Sequence, residues 1–291
     1  MAMNVHQRAS TLLISLLAAS VCGVAAAQET AARNSATQQA PRQMATWQTR
    51  HAAFNERARQ GDVDLLFIGD SITQQWETRG REVWAKRYGE RKAMNLGIGG
   101  DQTQHVLWRL DNGNIDGIEP KVAVVMIGTN NSRANSAAEI GEGIAAIVAK
   151  LRAKLPETHV LLLAIFPRGE RPSEMREKLA EASKTAAERF KEDEKVHYLD
   201  IGAKFVNSDG TISREIMPDF LHLSARGYEL WAEAIEAKLA ELLKSGARSS
   251  RSDIHRTFEL RFSILSKPEE FLPLAAFAEC GRINTTEEER S

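Results

Sequence analysis

Four short blocks of this chain carry residues whose types could act together: Gly69-Asp70-Ser71-Ile72, Asn95-Leu96-Gly97-Ile98-Gly99-Gly100-Asp101, Gly128-Thr129-Asn130-Asn131 and Asp219-Phe220-Leu221-His222. A serine alcohol is a useful nucleophile only when a base removes its proton during attack. Histidine is the side chain best suited by pKa to be that base near neutrality, so His222 is paired here with Ser71. Asp219, three residues earlier in a turn, can receive the Nδ1 proton and fix tautomer and orientation. The N–H groups of Ser71 and Gly100 and the Asn130 amide can hold the oxyanion of a tetrahedral intermediate. Each block also has an ordinary structural use. Ser71 can cap a helix, glycine and asparagine favour turns, and one surface histidine among seven is unremarkable. Taken together and in this order, they amount to an acyl-transfer site.

Other chemistries fit poorly. A dinucleotide fingerprint needs a third glycine at position 102, where Gln102 stands. No second histidine or cysteine accompanies His222 at metal-ligand spacing, so no metal is expected. Ile72, Thr129 and Leu221 adjoin the catalytic groups in sequence and are expected to limit the acyl chain. The bulk of Ile72 and Leu221 favours acetyl over long acyl groups.

The elements that must position these blocks follow from apolar periodicity. Runs at 63–68, 93–96, 122–127, 160–166 and 196–201 read as buried strands because they are continuous rather than alternating. Helical stretches lie near 47–59, 74–88, 102–110, 138–154, 173–193 and 224–245. Strands separated by helices of this length imply right-handed crossovers and a parallel sheet covered on both faces. The expectation is an α/β domain of three layers, α/β/α, spanning 62–245, with ligands outside the carboxyl ends of its five parallel strands.

Composition narrows the partners. The chain has 291 residues, 43% of them apolar and 26% charged, and a net charge of −1, which offers no bulk attraction to nucleic acid or an anionic membrane. Arg8, the apolar run TLLISLLAASVCGV and Ala25-Ala26-Ala27 read as a signal peptide over 1–27, too short to span a membrane. Export to the periplasm or the extracellular space is expected. Cleavage there leaves only Cys280, so no intramolecular disulfide can form. Residues 28–61 read as a polar leader, flexible to about 42, followed by a helix from Trp47 to Arg59. From Gly246 to Ser291 the rhythm is lost, and an appendage beginning with a small-residue linker is expected, with a glycosylation pattern at Asn284.

The four blocks resemble the SGNH (GDSL-type) hydrolases over 62–245. The stretches LFIGDSIT, NLGIGGDQTQHVLWRLDNG, VVMIGTNN, PRGERP and DFLHLSARGY are most similar to the catalytic subunits of platelet-activating-factor acetylhydrolases. Asn131 stands where the commoner family form has aspartate, a feature shared with those subunits. The resemblance implies a flavodoxin-like SGNH fold and a Ser71–His222–Asp219 triad. It further implies an oxyanion hole of Ser71, Gly100 and Asn130, and an acyl-enzyme formed without a cofactor. The expected activity is hydrolysis of short-chain, chiefly acetyl, esters of a small molecule or carbohydrate, with a homodimer admissible. The rival readings are a lysophospholipase or lipase and a catalytically silent glycan-binding module.

Overall fold

The computed structural model describes residues 34–265, with side chains to residue 245. The expected signal peptide, residues 28–33 of the leader, Cys280 and Asn284 lie outside the described residues. The chain divides into two compact units, Met1–Ser249 and Ser250–Ser291. The sheet and every candidate site residue belong to the first.

After helix α1 (Ala45–Arg59) come five strands, β1 (Leu65–Gly69), β2 (Ala93–Gly97), β3 (Val122–Met126), β4 (His159–Leu163) and β5 (Val196–Leu199). They form one parallel sheet in the order β2-β1-β3-β4-β5. The crossovers carry α2 (Ser71–Gln74) and α3 (Arg81–Tyr88), α4 (Thr103–Asp111), α5 (Ala137–Lys154) and α6 (Glu174–Glu188), and α7 (Ala225–Leu265) follows β5. The continuous apolar runs of the central strands β1, β3 and β4 are explained by two cores, whereas the edge strand β5 is only partly covered. Leu66, Ile68, Ala123 and Val125 face α1, α4, α5 and α6, with Trp47, Phe54 and Val148. Their sequence neighbours Leu65, Phe67, Val122 and Val124 face α7 and the segment after β1, with Trp76, Tyr88 and Trp231. Successive strand residues point to opposite faces, so both must be apolar when helices cover both sides. The three-layer α/β/α architecture with five parallel strands is as expected.

Several boundaries differ from the sequence reading, each for a physical reason. The helix expected over 74–88 is divided into α2, a 3-10 turn at Gln75–Glu77 and α3, the last starting after Gly80. β4 and β5 end at Leu163 and Leu199, although Ile165 and Phe166 beyond β4 remain buried; burial outlasts strand pairing there. α7 runs past residue 245, where a linker was expected; no proline, the strongest helix breaker, occurs between there and Pro268. The leader reading is corrected for its described part. Ala36 is fully buried, Asn34 Nδ2 donates to the Glu139 carbonyl at 3.1 Å, and Thr103 Oγ1 donates to the Ala36 carbonyl at 2.7 Å. Polar composition hid this because the segment docks through its backbone and short side chains. No helix among the described residues is long and apolar enough to cross a membrane.

The turn after β1 is held tightly. A Cβ on Gly97 would lie 2.2 Å from the Gln74 amide nitrogen and 2.6 Å from the Thr73 carbonyl carbon, so only glycine lets β2 pass α2 this closely. Asp70, completely buried, caps α2: its Oδ1 accepts the Ile72 N–H at 2.9 Å. Burial raises its carboxyl from the ordinary 3.8 to about 7, with the nearby Asp101 adding to the rise and the Ile72 N–H opposing it.

Two outcomes are expected. Gly97→Ala should destabilise the fold by about 3 kcal/mol in chemical denaturation, because the clash is with backbone; an unchanged midpoint would contradict the close approach. Asp70 binds its proton more tightly in the folded chain than in the unfolded one. Its favourable contribution is therefore complete below about pH 4 and is lost as the pH rises through about 7. Relative to wild type, Asp70→Asn should thus gain on the order of 4 kcal/mol between pH 4 and pH 8. Parallel pH profiles of the two proteins would refute it.

Candidate active site

The order β2-β1-β3 makes the chain leave β1 in one direction and return on its other side, and this reversal opens a crevice at the carboxyl ends. Gly69 pairs with both Gly97 and Met126, so the three strands end level and their loops meet. Ser71 follows β1 as the first residue of α2, Gly100 follows β2 and Asn130 follows β3. The Tyr228 hydroxyl donates to the Ile72 carbonyl at 2.6 Å, tying the turn that carries Ser71 to α7.

Ser71 Oγ lies 2.9 Å from His222 Nε2, and His222 Nδ1 lies 2.7 Å from Asp219 Oδ2. The other carboxylate oxygen of Asp219 accepts the N–H groups of His222 at 2.7 Å and Leu221 at 3.2 Å. Burial works against its charge, but the hydrogen bonds from the His222 ring and N–H, the His222 charge and the Leu221 N–H outweigh it, holding Asp219 down to about 2. An ionised Asp219 keeps the imidazole proton on Nδ1 and leaves Nε2 free to accept the serine proton. The turn that brings Asp219 back onto His222 requires Phe220 in the left-handed region, at φ 57°. That conformation is costly for a bulky residue. It is supported by a hydrogen bond from Gly169 N–H to the Phe220 carbonyl at 2.7 Å and by Arg214 lying 4.4 Å over the phenyl ring.

On the other side of Ser71, the loop from Ile98 to Asp101 is closed by backbone bonds. Ile98 N–H donates to the Gly69 carbonyl, Gly99 N–H to Gln74 Oε1 at 2.6 Å, and Asp101 N–H to the Ile98 carbonyl. The N–H groups of Ser71 and Gly100 have no hydrogen-bond partner among the described residues. Asn130 Nδ2 donates to the Asp101 carbonyl at 2.9 Å and, at the outer limit of such bonds, to Asp70 Oδ2 at 3.4 Å. Asn131 has a different task. Its Oδ1 accepts the Thr103 N–H, while its Nδ2 donates to Gln104 Oε1 and Asn135 Oδ1, both at 3.1 Å. A carboxylate could not make the last two bonds, so asparagine suits this position better than the aspartate of the commoner form.

The three residues expected to limit the acyl chain are not equally accessible. Ile72 and Thr129 are each 1% exposed, Ile72 packed into the aromatic core, whereas Leu221 is half-buried. Two arginines near the site went unread in the sequence. Arg168, after β4, donates to Thr129 Oγ1 at 3.2 Å, and its charge is felt by Asp70 and Asp219. Arg42, from the supposed leader, donates to the Gly99 carbonyl at 2.7 Å. PRGERP drew attention only as part of a resemblance, and nothing in the stretch around Arg42 marks it. Among the described residues, no group of three or more His, Cys, Asp or Glu side chains is placed to hold a metal.

Comparison with known proteins agrees with this architecture. Residues 67–230 match the GDSL-like lipase/acylhydrolase family. The chain is 38% identical over 208 residues to the platelet-activating factor acetylhydrolase IB subunit alpha2 of Rattus norvegicus, covering 72% of this chain and 90% of that protein. It is 39% identical over 197 residues to the alpha1 subunit of Homo sapiens, covering 68% and 84%. A GDSL-like lipase from Bacteroides thetaiotaomicron has the same fold at a TM-score of 0.55 and 18% identity, covering 66% of this chain and 97% of that one. An acetyl xylan esterase aligns at a TM-score of 0.51 and 20% identity, covering 60% and 99%. At such identities the solved structures speak for the fold alone, whereas the family match and the curated relatives extend to sequence. The chain therefore belongs to the GDSL-like lipase/acylhydrolase family and is a carboxylic ester hydrolase.

Proposed function

We propose that this hydrolase is an exported serine esterase that cleaves short-chain esters, acetyl esters foremost, through Ser71, His222 and Asp219. The observation that carries the reading is the continuous chain from Ser71 Oγ to His222 Nε2 at 2.9 Å and from His222 Nδ1 to Asp219 Oδ2 at 2.7 Å. Export to the periplasm or extracellular space is supported by the N-terminal sequence, Arg8 and the apolar run ending at Ala27.

In this mechanism His222 Nε2 takes the Ser71 proton as Oγ bonds to the ester carbonyl carbon, and the carbonyl electrons move onto oxygen. The free N–H groups of Ser71 and Gly100 face the oxyanion. Of the two Asn130 amide hydrogens, the one with only the 3.4 Å contact to Asp70 is available to join them. Collapse of the intermediate breaks the bond to the alcohol, which leaves with the proton carried by His222. Water then attacks the acyl-enzyme, giving its proton to His222, and the second collapse returns that proton to Ser71. Asp219 stays ionised throughout and stabilises the imidazolium.

The preference for acetyl rests on Leu221, the one accessible side chain of the three candidates, since Ile72 and Thr129 are each 1% exposed. It is supported by the curated relatives, which are named acetylhydrolases. The alcohol half is proposed to be a small molecule or a carbohydrate.

The test is hydrolysis of nitrophenyl acetate, butyrate and octanoate by the full chain and its variants. Ser71→Ala should lower kcat by at least about 10^4-fold, as loss of the nucleophile does in comparable enzymes; equal rates in both proteins would refute the assignment. Asn130→Ala should cost about 3 kcal/mol of transition-state stabilisation, read as a fall in kcat. For chain length, Leu221→Ala should raise the butyrate-to-acetate ratio of kcat/KM about tenfold. No gain on butyrate or octanoate would remove Leu221 as the limiting wall.

A further inference from the structure

The run Ile98–Asp101 contains four backbone N–H groups. Those of Ile98, Gly99 and Asp101 are each bonded to protein, and that of Gly100 has no hydrogen-bond partner among the described residues. The peptide unit that carries the Gly100 N–H also carries the Gly99 carbonyl. In a trans peptide these two groups lie in one plane and point in opposite directions, so whatever holds the carbonyl aims the N–H. Arg42 holds that carbonyl, its Nη1 donating to Gly99 O at 2.7 Å.

The contact is close and directional. Gly100 has φ +78°, and a Cβ there would lie 2.7 Å from Arg42 Nη1 and 3.3 Å from both Cζ and Nη2, so the guanidinium occupies the space a side chain would need. The arginine itself is anchored. Gln48 Nε2 donates to its carbonyl at 2.6 Å, Met44 Sδ receives its Nη2 at 3.2 Å, and the preceding residues are bound to α4 and α5 through Ala36 and Asn34. A second arginine treats the same loop alike, with Arg50 Nε on the Gly97 carbonyl at 2.8 Å. A positively charged donor on a carbonyl makes a stronger hydrogen bond than a neutral one, and it polarises the peptide so that the N–H at its other end donates better.

We infer that Arg42 is a positioning residue for ester hydrolysis: through the Gly99 carbonyl it aims and strengthens the Gly100 N–H as an oxyanion donor. The segment before the first strand is then part of the hydrolytic machinery rather than a leader. The inference rests on the reading of Gly100 as an oxyanion donor to a Ser71 acyl-enzyme. Because the oxyanion forms only as Ser71 attacks, the arginine acts on the transition state and leaves ground-state binding nearly untouched.

The experiment compares full-length wild type, Arg42→Ala, Arg42→Lys and Ser71→Ala on nitrophenyl acetate. Rates are expressed per serine reactive in a burst titration, and denaturation midpoints are measured alongside. Arg42→Ala is expected to lose about tenfold in kcat with KM changed less than twofold, a partial loss of one donor's contribution. Arg42→Lys keeps a charge but not the planar fork, so it should recover part of that loss. An unchanged kcat per reactive serine in Arg42→Ala would overturn the inference. So would a loss in both variants that only follows their denaturation midpoints, the signature of a purely structural residue. Activity surviving in Ser71→Ala would overturn the site reading itself and the positioning role with it.

Discussion

Beneath the loops that face Ser71 lies a completely buried ion pair, Arg109 Nε to Asp101 Oδ2 at 2.9 Å. Burial raises the Asp101 carboxyl and lowers the Arg109 guanidinium from their ordinary values, and each partner's charge opposes the other's shift. The pair does not stand alone. Trp47 Nε1 donates to Asp101 Oδ1 at 2.7 Å, and Arg109 Nη1 reaches Asn114 Oδ1 at 2.8 Å, with His51 bonded in turn to Asn114. Such a network contributes little net stability over an apolar equivalent, yet loss of one partner leaves an uncompensated charge costing about 3–5 kcal/mol. What it secures here is position. The main chain of Asp101 closes the turn onto Ile98 and receives the Asn130 amide, so Gly100 and Asn130 are both referred to one buried carboxylate.

The two halves of the site are held in different ways. The Ser71 half is rigid: Asp70 caps its helix from within the core, Tyr228 fixes the following carbonyl, and the Gly97 backbone passes against Gln74. The His222 half rides on a tight turn near the surface, where Asp219 is 49% exposed in its side chain. There the geometry comes from local bonds to Asp219 and from a strained Phe220, pinned by the loop after β4. In the proposed mechanism the nucleophile must sit still relative to the oxyanion donors, whereas the base serves first the serine and then the leaving alcohol or water. The division of rigidity matches those tasks.

Much of this was legible in the sequence because the signals were short-range. Buried parallel strands must be apolar on both faces, so VDLLFI and VAVVMI announced themselves, and sheet order then placed every following loop at one end. Ser71, His222 and Asp219 are residues whose chemistry is rare enough in that position to be noticed. What escaped notice were residues that act through backbone partners far away in sequence. Arg42 and Gln74 meet Gly99 across 57 and 25 residues, and nothing in their own neighbourhoods records it. Acyl-pocket candidates chosen by adjacency fared unevenly for the same reason: next in sequence is not next in space, and Ile72 turns into the core.

By itself, then, the sequence determined the strand and helix rhythm, the parallel sheet and which residues are proposed as nucleophile, base and orienter, since periodicity and functional-group chemistry are properties of short segments. Only the tertiary structure decided how those groups are aimed. Ser71 meets His222 across 151 residues, Asn130 turns to the Asp101 carbonyl, and a segment that reads as a polar leader is folded onto the loop after β2. Hydrogen-bond direction and the dielectric around a buried charge depend on every element packed nearby, and no short segment contains that information.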